Sequence, residues 1–584
     1  MKGDFHAGIR GSGEGQFLPA TRPYLVGKKQ DGKTYYYLTE SARVNGKPRI
    51  VSQQYLGSAD EIAQRLSEAG PGEPDRSQHL AFGDVAAVWG MLDRLGVVGI
   101  IDDVVGSRRS DAAASVGTYI ALAALNRVVA PCSKLAFSDW WVKTTGDRLV
   151  GHLSPGALDH RRFWDAMDTI TLAQLIEIER RITEAMVDVF DLDLSGLVLD
   201  MTNFATYIDS SNDRAPIAQR GHAKQKRNDL RLVGLALVVS TDGGIPLLSH
   251  AYAGNHPDVT RFADVLSELI TRWGALAKES DQLTLVYDAG QDSEANQAAV
   301  AASPLHFVGS LPPSQHPDLL AIPKGHYEVV DAERFPGLRA VETRTTALGA
   351  EYRVIVTHSE AFHTKQSRGF DQTLSKARRA LVALSGRLKR GKTRKDRDAV
   401  EAEIASIAKP RWVSRVISTT LSGNRPAAFR LTFSEDARAR RALEEELFGK
   451  RVLFTDHDDW EVADVIAAYR SQHHVESDFR QMKDRTVVSF SPMFHWTDDK
   501  IRVHVFYCVL ALALARLMRR EASQAGLDMS VRELLCSLSE IEETVLLYQG
   551  DRGRPRARRM LTEMDPTQGR LYELFGLAAH APTR

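Results

Sequence analysis

The sequence predicts a multidomain α+β chain built around a mixed sheet flanked by helices. Three observations predict it. At 584 residues the chain is several times the usual domain size. At Leu197 helical periodicity gives way to short apolar runs. From there the order of runs is β-β-β-α-β-α-β.

The elements follow in chain order. Residues 1–20, with Gly11, Gly13 and Gly15 and without the apolar run of a signal peptide, read as a flexible tail. Residues 35–38 and 49–51 are β-prone runs around Asn45-Gly46, so 21–70 reads as a β-hairpin module. After a Gly/Pro-rich break at 70–74, Val85, Val88, Leu92 and Leu95 open a helical pattern that fills 78–195, the N-terminal helical domain. Residues 197–200 form a short strand ending in Asp200, and 231–239 and 245–251 are two further strands joined through Asp242-Gly243-Gly244. Phe262, Leu266, Leu269 and Trp273 mark one face of a helix. Residues 283–287 are a strand ending in Asp288, and a helix over 294–302 and a strand over 306–311 complete the run.

Residues 312–449 read as an insertion with its own sheet (327–330, 338–343, 351–357 and 429–433) and a helical arm over 370–408. The main pattern resumes with a strand at 451–455 and one helix over 462–483. The most apolar stretch, 503–518, is broken by His504 and Arg516 and is shorter than the roughly 20 residues a membrane span needs, so it is expected as a buried helix. A helical C-terminal region is expected over 521–584, carrying Arg554, Arg556, Arg558 and Arg559.

Basic and acidic residues balance at 75 each, which excludes a global positive field and leaves any nucleic-acid contact to local patches. Cys132, Cys508 and Cys536 are far apart, which excludes a thiolate zinc site of paired cysteines and fits a reducing cytoplasm.

Asp200 and Asp288 end two strands of one sheet, where α/β active sites form. On the later helix Tyr469, Gln472, Glu476 and Lys483 share one stripe, polar where a core helix is apolar. Three converging carboxylates repel one another unless cations bind, and hard oxygen donors suit two Mg²⁺ or Mn²⁺ ions, the arrangement of phosphodiester chemistry. Thr202 and Asn203, close to Asp200, are supporting candidates or turn caps. Lys224, Lys226 and Arg227 lie in a polar loop, either solvated or facing DNA. Between Lys376 and Arg397, ten basic residues meet only Asp396, so Arg387, Lys389, Arg390 and Lys392 are candidate phosphate contacts. The segment from Gly386 to Thr393 fits the phosphate-loop pattern, but its long basic residues in a helical context argue against a nucleotide cofactor.

Asp200, Asp288 and Glu476 in this order of elements resemble the ribonuclease H-like core of the DDE transposases of bacterial insertion sequences. The helix is similar to the subgroup whose signature is Y-x2-R-x3-E-x6-K. Tyr469, Glu476 and Lys483 match, and Gln472 stands at the arginine position. Asp200-Met201-Thr202-Asn203-Phe204, Gly254-Asn255-His256 and Tyr287-Asp288-Ala289-Gly290 are similar to that group as well. The resemblance covers 196–518 and divides the chain into a catalytic core (196–311 and 450–520), the insertion and a helical domain that binds DNA ends. It implies Asp200, Asp288 and Glu476 as metal ligands and Tyr469, Gln472 and Lys483 as DNA contacts. It implies binding of terminal inverted repeats, cleavage at the element ends through hairpinned intermediates, and joining to target DNA. A homodimer in the synaptic complex, a nucleoid-associated place in a bacterial cytoplasm and no membrane partner go with it. A nuclease or resolvase on the same core, a silent DNA-binding relic and a nucleotide-driven motor are the alternatives. Joining of a pre-cut 3′ end, metal-dependent cleavage and ATP binding distinguish them.

Overall fold

A computed structural model describes residues 23–44, 47–68, 73–106, 113–154, 156–221, 229–273, 283–548 and 556–583. The chain divides into two compact units: one takes the chain up to His79 together with Thr544–Met560, the other Leu80–Glu543 and Leu561–Pro582.

The first unit opens with β1 (Tyr24–Gln30), β2 (Lys33–Val44) and β3 (Lys47–Ser58), an antiparallel three-stranded sheet followed by α1 (Ala59–Glu68). The expected hairpin is the β2–β3 pair, and β1 was not foreseen; Asn45-Gly46 and residues 1–20 lie outside the described residues. β4 (Arg76–Ala81) runs in a second small sheet with two strands from the C-terminal region.

Helices then dominate: α2 (Gly83–Arg94), α3 (Val97–Val105), α4 (Val116–Val129), α5 (Phe137–Trp141), α6 (Gly146–Val150), α7 (His160–Asp168) and α8 (Leu172–Phe190). Thr171 and Gln174 form a reciprocal capping box at the start of α8, satisfying backbone donors that a helix end leaves unpaired.

β5 (Gly196–Thr206), β6 (Arg231–Ser240) and β7 (Pro246–Ala253) form an antiparallel meander. After α9 (Phe262–Trp273), β8 (Thr284–Val286) pairs in parallel with β5; after α10 (Glu294–Ala301), β9 (His306–Leu311) pairs in parallel with β8. The order β9-β8-β5-β6-β7 runs unbroken within the sheet, and every expected element of this stretch is present. β6 is buried over all but its first residue, hence its unbroken apolar sequence. Gly234 in β6 is required by a close approach: a Cβ there would meet the Tyr252 ring at 2.2 Å.

The insertion departs from expectation. After α11 (Pro317–Leu320), the strands β10 (Glu328–Val329), β11 (Leu338–Ala347) and β12 (Ala350–Ser359) do not form a sheet of their own. They continue the central sheet through β15 (Lys450–Thr455), which pairs antiparallel with both β12 and β9, to give nine strands in one mixed sheet. β12 is buried from Tyr352 to His358, which explains why it joins a core. Between them come α12 (Glu360–Lys389), α13 (Arg397–Ala408), α14 (Val413–Val416), the hairpin β13 (Ile417–Ser422) and β14 (Arg430–Glu435), and α15 (Ala437–Leu447).

The helix expected over 462–483 is two helices, α16 (Val462–Arg470) and α17 (Gln472–Met482). The cause sits at Ser471, whose hydroxyl donates to the Ala468 carbonyl at 2.5 Å while its N–H is shared between the carbonyls of Ala467 and Ala468. α18 (Asp498–Gln524) is long and apolar enough to cross a membrane, yet 94% of its apolar window is buried inside the fold. The C-terminal region is not all helical: α19 (Val531–Ser539) and α20 (Pro566–Leu574) bracket β16 (Glu542–Tyr548) and β17 (Arg556–Leu561), and the small sheet runs β17-β16-β4. The arginines at 556, 558 and 559 lie on β17, and Arg554 lies outside the described residues.

Candidate active site

The parallel register Leu197↔Leu285 and Val198↔Val286 carries forward to set Asp200 level with Asp288, where β8 has ended and β5 continues. Side chains alternate across a strand, and Thr202 takes the Lys483 ammonium at 3.0 Å, so Asp200 and Thr202 share the face covered by α17. Asn203 points to the other face, beside Gly234, and so does not join this cluster. The Asp200 Oδ1 accepts from the Met201 N–H at 2.7 Å, and the Asp288 Oδ1 accepts from the Gly290 N–H at 2.8 Å.

Glu476 is exposed on α17, which packs against β5 and β6. It lines a cavity of about 240 Å³ together with Tyr469, Gln472, Arg451, Arg470 and His473. β15 begins and β12 ends beside this cavity, the same end of the sheet at which Asp288 follows β8. Asp200 and Asp288 are thus level in register at one end of the sheet, and Glu476 lines a cavity at that end. The three carboxylates do not form a group with ligand atoms all within 4.8 Å of one another; among the described residues that description belongs to His306, Asp456 and His457.

Tyr469 ends inside the protein. Its ring is buried, its hydroxyl donates to Ser310 Oγ at 3.1 Å, and that oxygen also accepts the Ala289 N–H at 3.1 Å. Tyr469 therefore braces the turn that carries Asp288, and burial raises its phenol pKa. Gln472 is only 7% exposed, with its Nε2 unpartnered. The two helices part at Ser471, and Arg470, one residue before it, lines the cavity with Glu476. Burial and Arg451 lower the Arg470 pKa.

Sequence reasoning missed Ser310, Arg451 and Asp292. Both Asp292 carboxylate oxygens are buried without a hydrogen-bond partner, and burial together with the Asp288 charge pushes its pKa up to about 7. Only the spacing of four residues from Asp288 could have pointed to it.

The basic arm is partly neutralised. Arg387 pairs with Glu403 at 2.5 Å, Lys395 with the same carboxylate at 2.8 Å, and Arg397 with Glu401 at 2.7 Å. Lys389, Arg390 and Lys392 are exposed and, among the described residues, form no ion pair. Gly386 lies inside α12, which runs to Lys389, so the segment fitting a phosphate loop begins as helix. Lys224, Lys226 and Arg227 lie outside the described residues.

No family model matches this chain, and no curated protein matches it. Among solved structures it is similar to a piggyBac transposase synaptic complex with hairpin DNA, at 8% identity and a TM-score of 0.36, over 80% of this chain and 82% of that one. A likeness that loose assigns nothing to this chain.

Proposed function

We propose that this chain is a transposase of the insertion-sequence type, which binds the terminal inverted repeats of its own element, cleaves there and joins the ends to target DNA. The observation that carries the reading is the register that sets Asp200 level with Asp288 on adjacent parallel strands, facing the helix of Glu476. The donor set fits Mg²⁺ or Mn²⁺: it is all oxygen, and the carboxylate of Asp292, four residues beyond Asp288, is buried with both oxygens unpartnered. Asp200, Asp288 and Glu476 would hold two such ions, which supply activation of a water or 3′-hydroxyl and stabilisation of the leaving oxygen.

The chain's own residues have separate tasks. Lys483 ties the end of α17 to β5 two residues beyond Asp200, and Tyr469 with Ser310 steadies the Asp288 turn. Arg451 and Arg470 bring positive charge to the Glu476 cavity, where Gln472 brings none, and can hold a DNA phosphate. Lys389, Arg390 and Lys392 offer a second, sequence-independent grip. The test is incubation with DNA flanking the gene, with and without Mg²⁺, mapping cut ends and offering a pre-cut end with a free 3′-hydroxyl. Joining of that end supports a transposase; cleavage without joining makes the protein a nuclease or resolvase.

A further inference from the structure

At the end of the central sheet opposite Asp200 and Asp288, three other donor side chains meet. His306 is the first residue of β9, and Asp456 and His457 directly follow β15, its antiparallel neighbour, in the register Thr455↔Val308. Their ligand atoms all lie within 4.8 Å of one another. The Asp456 Oδ2 is 3.0 Å from His306 Nδ1, while its Oδ1 accepts the Phe307 N–H at 2.9 Å. His457 is 2% exposed; its Nε2 lies 2.8 Å from the Thr284 hydroxyl and its Nδ1 3.8 Å from Asp459 Oδ1. The two imidazoles stack at 4.5 Å between centroids, and Trp460 covers the other side of His457 at 3.8 Å.

We propose that His306, Asp456 and His457 form a second metal site, for a transition ion of the Zn²⁺ class, distinct from the carboxylate site. Two imidazoles and one carboxylate match the nitrogen-and-oxygen sets that zinc takes, and they are the wrong donors for Mg²⁺. The supporting contacts are those such sites use. The Thr284 hydroxyl fixes one ring nitrogen of His457 and turns the other toward Asp459, and the Phe307 N–H orients Asp456. Asp459, an exposed carboxylate beside His457, or a water completes a four-coordinate shell. An ion there would clip the start of β9 to the end of β15, the seam at which the strands of the insertion join the ribonuclease H-like sheet. The hydrogen bond between His306 and Asp456 and the contact of His457 with Thr284 could hold that seam without an ion, in which case the chain would show no saturable metal binding there.

The experiment uses the full chain, stripped with chelator and titrated with Co²⁺ and then Zn²⁺. One equivalent of Co²⁺ should bind with visible absorption of a four-coordinate centre, be displaced by Zn²⁺ and raise the Tm. Asp200→Asn combined with Asp288→Asn should leave this titration unchanged, which separates it from the proposed catalytic ions. His306→Gln, at a partly exposed side chain, and Asp456→Asn should each weaken Co²⁺ binding at least about tenfold while the far-ultraviolet circular dichroism is preserved. Absence of saturable Co²⁺ and Zn²⁺ binding, binding that both variants retain, or binding lost only with the two strand-end aspartates would overturn the proposal.

Discussion

Lys483 and Tyr469 look alike in the sequence, two polar residues on one stripe, and the structure gives them different work. The Lys483 ammonium reaches Thr202 on the strand of Asp200 and lies 5.5 Å from the Phe204 ring centroid, so it is both a tie and a charge near the acids. We expect Lys483→Ala to lower the cleavage rate at least about tenfold, or 1.4 kcal/mol in the barrier. Cleavage by this variant at the wild-type rate would remove Lys483 from the site. Tyr469 acts through Ser310 on the Asp288 turn. Tyr469→Phe, which deletes one hydrogen bond and keeps the ring, should cost about 1 kcal/mol of stability in urea unfolding and slow cleavage more than it weakens DNA binding. Equal losses of binding and cleavage would mean that the hydroxyl meets DNA instead. Neither role was legible from spacing, because the break at Ser471 depends on one serine hydroxyl turning back to a carbonyl, which periodicity does not register.

The elements around the site owe their stability to polar groups held without water, and this makes the fold sensitive to acid. His495, which precedes α18, and His504 on that helix are buried near Arg127 of α4 and Lys134. Burial first, and those cations next, lower the His495 pKa to about 3 and His504 well below its ordinary value. A histidine with a depressed folded pKa is neutral in the folded chain, while the unfolded chain takes up a proton below about 6.5. Stability is therefore full above pH 6.5 and falls as pH drops toward the folded values, by about 2 kcal/mol at pH 5 for His495 alone. Urea midpoints at pH 7 and pH 5 should show this loss, and His495→Gln should flatten it. A midpoint unchanged between the two pH values would contradict the assignment. In the same helix Arg516 donates to the buried Asp478 of α17 at 2.5 Å, so Arg516→Leu, which strands that carboxylate, should cost about 3–5 kcal/mol. His504, whose Nε2 lies 2.8 Å from the Phe490 carbonyl, and Arg516, the residues that break the apolar run in sequence, are thus among those that fasten α18 to its neighbours. In the basic arm, Lys389, Arg390 and Lys392 changed together to Ala should flatten the salt dependence of DNA binding by about 2–3 in the log–log slope, whereas Arg387→Ala, already paired with Glu403, should change it little. An unchanged slope in the triple variant returns the arm to solvent.

Much of the molecule could be read from its sequence where side-chain period and turn chemistry agree. The meander β5-β6-β7, the two parallel additions β8 and β9, and an acid at each of the two relevant strand ends are all local signals. What could not be read is where strands pair over long separations. β12 and β15 are about 100 residues apart in the chain and become neighbours because both are buried apolar strands, a partnership no local pattern encodes. The result is that the insertion extends the central sheet, and the Glu476 cavity gains a wall from β15 and from the end of β12. Asp292 and Arg451 belong to the same lesson, since their importance lies in what is placed beside them. The central claim, that Asp200, Asp288 and Glu476 act as one metal-binding unit on DNA, is tested most directly by Mn²⁺-dependent cleavage of end-bearing DNA by Asp200→Asn, Asp288→Asn and Glu476→Gln beside the unaltered chain. Each variant should bind the DNA within about threefold of the parent and lose cleavage by at least about a thousandfold, a barrier increase of about 4 kcal/mol. Near-parental cleavage by any one of the three would contradict the account.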